Sequence, residues 1–129
     1  KEYADRFLYL FGVVLLSGLI VDILKFIVGR TRPKLFLEEH IYSVQFFGLD
    51  YLHNSFPSGH SATVFSIAVG AFLLWPRACI PLFLYASAVI CSRVYLTEHF
   101  VSDVFAGSCI GIASAIWLRT KMSQKGFLV

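Results

Sequence analysis

The sequence predicts an all-α fold, a polytopic membrane helix bundle with about four transmembrane helices, and three observations predict it. Of 129 residues, 57% are hydrophobic and only 15% charged, against roughly 45–50% and about 25% in soluble domains. Mean hydropathy is +0.73, and the apolar residues gather in four runs of a length that suits a ~30 Å hydrocarbon layer. Ionisable groups within those runs sit near one set of ends. The same composition excludes disorder, because a chain with 16% aromatic residues can bury enough surface to offset the entropy of ordering.

The first helix is expected over residues 7–29, a run broken only by Asp22 and Lys25. The second, 58–75, contains no ionisable group except His60 and is preceded by Pro57. The third, 78–96, carries only Arg93 and follows Trp75-Pro76-Arg77; the fourth, 102–118, carries only Asp103 and follows Thr97-Glu98-His99. These three runs lie at the short end of the spanning range. A soluble helical bundle would show a polar stripe on each helix, whereas residues 62–74 offer only Thr63 and Ser66. Between the first two helices, the connection 34–56 mixes Phe36, Tyr42, Phe46, Phe47, Tyr51 and Phe56 with Glu38, Glu39 and Asp50. That mixture suits the headgroup layer, where aromatic rings sit half wet, and a connection of this length could also gate substrate. The whole chain, 1–129, is read as a single domain.

Smaller features complete the bundle. Gly107 and Gly111 form a G-x-x-x-G pair beside Ala106, Ser108, Ala113 and Ser114, a small-residue face that lets helices approach closely and is read as packing inside the bundle rather than as a dimer contact. Cys79, Cys91 and Cys109 lie in apolar surroundings at no metal-ligand spacing, and are read as buried, reduced packing residues. A net charge of +3 is too weak to imply nucleic acid. The chain starts at Lys1, and its first apolar run is too long and too poorly flanked for a signal peptide; the later part of a longer protein is one reading of that start.

Four spans bring Lys25, Arg30, Arg32, Lys34, His60, Arg93, His99 and Asp103 to one membrane face, because helices one and three arrive where two and four depart. Ionisable groups at membrane depth are functional candidates. So many cations would repel a divalent metal, and only Asp103 is a plausible hard ligand, so an anion is the better guest. Arginine forks match phosphate oxygens and lysine adds a point charge, while Ser58-Gly59 at a helix start offers backbone N–H groups. Two histidines beside a phosphate divide into nucleophile and acid. His99 stands four residues before Asp103, whose carboxylate can hold one ring nitrogen as N–H and aim the other at phosphorus; His60 can protonate the departing oxygen. Arg30 and Lys34 are read as interfacial cations, and His40 and His53 as ordinary loop residues.

Lys25-x6-Arg32-Pro33, Pro57-Ser58-Gly59-His60 and Ser92-Arg93-x5-His99-x3-Asp103 resemble the three signature motifs of the type 2 phosphatidic acid phosphatase family, with no signature position departing from the pattern. The resemblance implies a membrane enzyme that hydrolyses lipid phosphate esters without metal or cofactor through a phosphohistidine. It implies His99 as nucleophile, Asp103 as its orienting partner and His60 as general acid. Lys25, Arg32, Ser58, Gly59 and Arg93 would hold the phosphoryl group, and Ser92 would support Arg93. Members commonly have six helices with the signatures in the last four, so this chain is expected to be part of a six-helix core or a minimal version of it.

The expected function is therefore an integral membrane phosphatase for a lipid phosphate or diphosphate, with the bilayer and that lipid as partners. With Lys25, Arg32 and Arg93 set aside as site residues, Lys and Arg number six on the face of the C-terminal tail and two on the other. The positive-inside rule then puts the tail in the cytoplasm and the site on the extracytoplasmic side of a bacterial inner membrane. The rival readings are a binding or transport protein for anionic lipid headgroups, which has no need of two histidines, and a non-catalytic helix bundle.

Overall fold

The structure is a computed structural model that describes residues 2–48 and 50–127, without the side chains of Ala78 and Cys79. Five α-helices follow one another: α1 (Glu2–Val28), α2 (Pro33–Glu39), α3 (Gly59–Leu74), α4 (Cys79–Tyr95) and α5 (Val101–Gln124), with 3-10 turns at Tyr51–His53 and Pro76–Ala78. Among the described residues no strand forms; a lone antiparallel bridge joins Arg30 to Val44. α1 and α5 are each long and apolar enough to cross a membrane, whereas α3 and α4 are shorter apolar helices.

Local chemistry sets these limits. Glu2 and Asp5 open α1 and Lys25 closes it, each complementing the helix dipole. α1 starts before residue 7 and α5 runs past residue 118, because polar helical turns continue beyond the apolar run that marks a span. Pro33 starts α2, and His40 ends it in the left-handed conformation; this short helix lies within the connection read as interfacial. Ser58 caps α3, its hydroxyl accepting from the Ser61 amide. Asp103, in the first turn of α5, caps that helix by accepting from the Phe100 amide at 2.8 Å.

α3 is the central helix, touching α1, α4 and α5. The glycine pair is what lets α5 come close: a Cβ on Gly107 would collide with the Ser58 carbonyl, and one on Gly111 with the Ala62 carbonyl. Gly107 and Gly111 thus pack inside the bundle. Near the opposite end, Tyr9, Val13, Val69 and Ala115 form a buried cluster, and the Tyr9 hydroxyl donates to the Ala115 carbonyl at 2.9 Å. Large apolar side chains also cover the outside, among them Phe7, Phe11, Ile80, Leu84, Phe105 and Trp117, the surface expected where lipid is the solvent.

That outer belt corrects one expectation. Cys91 and Cys109 are free but exposed, not buried, because apolar surroundings in sequence do not distinguish a lipid-facing from an inward-facing position. The Cys79 side chain lies outside the described residues.

Candidate active site

At one end of the bundle lies a cavity of about 460 Å³. Lys25 from the last turn of α1, Arg32 from the following loop, His60 from the first turn of α3, Arg93 from the last turn of α4 and His99 from the α4–α5 loop all line it. Asp22, Tyr51, Asn54 and Glu98 complete its wall. Lys25 and Arg93 make no ion pair among the described residues.

The loops are tied together by main-chain bonds. The Gly29 carbonyl accepts from the Gln45 amide, Thr31 donates to the Ser43 carbonyl, and Arg32 donates to the Leu52 carbonyl at 2.8 Å. Gly29 has φ +50°, and a Cβ there would run into the Gln45 carbonyl, so glycine is needed where α1 ends. The Arg93 carbonyl accepts from both the Glu98 and His99 amides, which wraps the α4–α5 loop back onto α4 through Thr97, at φ +55°. The Lys34 amide donates to the Thr97 carbonyl, which ties the segment after α1 to the loop carrying His99.

His99 is 3% exposed. Its Nδ1 lies 2.8 Å from the Ser55 carbonyl; a carbonyl only accepts, so Nδ1 carries the hydrogen and Nε2 keeps its lone pair. Burial first, and then the Arg32 guanidinium, push the His99 pKa down to about 4, leaving the ring neutral at pH 7.

The sequence places Asp103 against this ring, and here the structure differs. The Asp103 carboxylate stands 4.0 Å from Nδ1, beyond hydrogen-bond reach. Fully buried, it pairs instead with Arg30 at 2.7 Å and accepts from the Ser55 hydroxyl at 2.5 Å and the Phe100 amide. An i, i+4 spacing makes two side chains neighbours, but the loop before α5 turns the His99 ring toward the connection. Arg30, read as an interfacial cation, is also corrected: its guanidinium stacks 4.3 Å from the Phe100 ring centre and binds Asp103 and Ser102.

Arg32 is held at the cavity wall by three acceptors. Its Nε donates to the Tyr51 carbonyl, and Nη1 to the Glu98 carbonyl and, at 2.6 Å, to the Glu98 carboxylate. The Tyr51 hydroxyl donates to the same carboxylate at 2.8 Å. Tyr51 first, and Arg32 after it, hold Glu98 below the usual carboxylate range. Arg93 Nε rests on the Ser92 hydroxyl at 3.4 Å, consistent with a supporting Ser92.

Three candidates do not reach the cavity wall: Asp103, Ser58 and Gly59. Ser58 is fully buried; its amide donates to the Asp103 carbonyl and its hydroxyl bonds Ser61. Gly59 packs near Val21, with Lys25 Nζ 3.8 Å from where its Cβ would stand. His40 ends α2 and His53 pairs with Asp50 at 3.0 Å, and neither lines the cavity. Sequence reasoning missed Ser55, Tyr51, Asn54 and Glu98. Their only signal was position, just before Pro57-Ser58-Gly59-His60 or beside His99.

Fold and site together define a class: an all-helical, membrane-type bundle whose helix ends and loops gather cations and two histidines around one pocket. The chain belongs to the PAP2 superfamily, whose sequence model matches residues 6–127. It is 38% identical to the lipid A 1-phosphatase of Rhizobium etli, over 80% of this chain and 44% of that protein. To the lipid A 1-phosphatase of Rhizobium johnstonii it is also 38% identical, over 93% and 49%. A putative undecaprenyl-diphosphatase of Escherichia coli is 32% identical, over 85% and 63%. The crystal structure of Aquifex aeolicus LpxE superposes with a TM-score of 0.70 at 32% identity, over 91% of this chain and 68% of that one. The chain spans just under half the length of the two Rhizobium relatives.

Proposed function

We propose that this chain carries the active site of an integral membrane phosphatase acting on a lipid phosphate or diphosphate, without metal, through a phosphohistidine. The observation that carries the reading is the His99 ring: buried and neutral, it has its hydrogen committed to Ser55 and belongs to the wall of a cation-lined cavity. In the first step the Nε2 lone pair forms a bond to phosphorus as the bond to the lipid oxygen breaks, and His60 gives that oxygen a proton. Lys25, Arg32 and Arg93 gather the equatorial oxygens, whose charge they stabilise. In the second step water attacks phosphorus, His60 takes its proton, and His99 leaves with its lone pair restored. Asp103, 4.0 Å from the ring and paired with Arg30, supports the site from behind Ser55, from whose hydroxyl it accepts. Ser58 and Gly59 support this site through the backbone at the start of α3.

The names of the relatives support a lipid A phosphate or a polyprenyl diphosphate as substrate, and the Lys/Arg count supports a site on the extracytoplasmic face of a bacterial inner membrane. A binding or transport role for anionic headgroups would use the cations but leaves a buried neutral histidine without purpose. Phosphate release from both lipids, with and without chelator, tests the proposal. His99→Ala is expected to lower turnover by a factor of about 10³ or more while lipid binding persists and chelator has no effect on the parent protein. Unchanged turnover in His99→Ala would reject the reading, as would loss of all parent activity on chelation.

A further inference from the structure

Ser55 is tied at three points. Its amide donates to the Arg30 carbonyl at 2.9 Å, its hydroxyl donates to Asp103 at 2.5 Å, and its carbonyl accepts from His99 Nδ1 at 2.8 Å. The residue is fully buried, so water does not compete for any of these groups. Asp103 in turn is fixed from its other oxygen by Arg30, itself stacked on Phe100. A chain of contacts thus leads from Arg30 through Asp103 and Ser55 to the imidazole, and the carboxylate touches the ring at no point.

We infer that Ser55 is the positioning residue that orients His99 for attack, through its main-chain carbonyl, and that Asp103 and Arg30 act by holding Ser55 in place. This rests on His99 being the nucleophile of the proposed phosphatase. A main-chain acceptor has a physical advantage here. A carboxylate bonded directly to Nδ1 could take the proton or let the ring swing, whereas a carbonyl can only accept and is fixed by the peptide plane. The tautomer that leaves Nε2 free is then built into the backbone. The Ser55 hydroxyl sets where that carbonyl points.

The proposal separates Asp103 from the ring, and the full-length chain in detergent or nanodiscs can test that separation with ¹⁵N-labelled histidine. In Asp103→Asn, His99 is expected to keep its hydrogen on Nδ1, as in the parent, because its acceptor is unchanged; a shift toward the Nε2–H form would overturn the inference. Ser55→Ala keeps the carbonyl but loses its tether. Its kcat is expected to fall about tenfold, as loss of one hydrogen bond to a charged group implies, with KM within twofold and recovery in Ser55→Thr. A folded Ser55→Ala protein with the parent kcat, or one whose loss appears only in KM, would also overturn it. The tautomer measurement needs no substrate, so it remains decisive if the parent protein releases no phosphate from any lipid, the outcome that rejects the phosphatase reading itself.

Discussion

Two arginine–carboxylate pairs flank His99 at nearly equal lengths, Arg30–Asp103 at 2.7 Å and Arg32–Glu98 at 2.6 Å, yet they sit in different surroundings. In the inner pair the carboxylate side chain is 0% exposed and the arginine 19%; in the outer pair the order is reversed, the carboxylate 27% exposed and the arginine 8%. Asp103 is surrounded by donors from Arg30, Ser55 and Phe100, and its guanidinium partner does not line the cavity. Arg32 and Glu98 both do. One Arg-Thr-Arg stretch therefore serves two ends: the first arginine neutralises a buried carboxylate, and the second sets a cation in the cavity wall. Pair length says nothing about which role an ion pair has; solvent access and the remaining partners decide it.

The comparison breaks first at Asp103. Truncation to Ala leaves the fully buried Ser55 hydroxyl unpaired and takes the carboxylate from a part-buried Arg30 that keeps only Ser102, which is expected to destabilise the protein by about 3–5 kcal/mol. The matching Glu98→Ala change should cost less, about 1–3 kcal/mol, since water reaches the Glu98 carboxylate and the nearly buried Arg32 keeps the Tyr51 and residue-98 carbonyls. Reversible unfolding in mixed micelles measures both. Equal losses would show that the two pairs are energetically alike and would remove the distinction drawn above.

The second effect is pH-dependent and belongs to the inner side. With the pKa of His99 lowered from 6.5 to about 4, the unfolded chain binds more protons than the folded one between those values, so stability rises with pH across that window. The contribution, about 3 kcal/mol at most for a shift of this size, is complete above about pH 6.5 and is lost as pH falls toward 4. Melting temperatures of the parent and His99→Phe between pH 4 and 7 provide the check. The slope should flatten in the variant, and parallel curves would mean that His99 is not the group responsible.

Much of this arrangement is legible before any coordinates. Lys25, His60, Arg93 and His99 stand out because an ionisable group in or beside an apolar run needs a reason, and the alternating direction of the helices brings all four to one depth. What stays hidden is what tertiary structure decides. Arg30 and Arg32 are two residues apart and chemically alike, so nothing local shows that one turns inward to Asp103. The acceptor for His99 is a main-chain carbonyl, which every residue has, and its identity depends on how the connection folds back through the Arg30–Val44 bridge. Likewise Ser58 reads as an anion-binding helix start, but α5 approaches so closely at Gly107 that the Ser58 amide is consumed by the Asp103 carbonyl.

The smallest effect concerns the outer pair alone. Glu98 carries negative charge at neutral pH, held there by the Tyr51 hydroxyl and then Arg32, and it occupies Nη1 of an arginine that faces the cavity. A phosphate entering the cavity meets that carboxylate as a competitor for Arg32. Glu98→Gln removes the charge but leaves the Tyr51 and residue-98 carbonyls to hold the guanidinium in position. KM for a lipid phosphate is then expected to fall about threefold with kcat unchanged, a gain that shrinks as salt screens the partly exposed site. If KM rises instead, the carboxylate is part of the scaffold that aims Arg32, and the outer pair resembles the inner one after all.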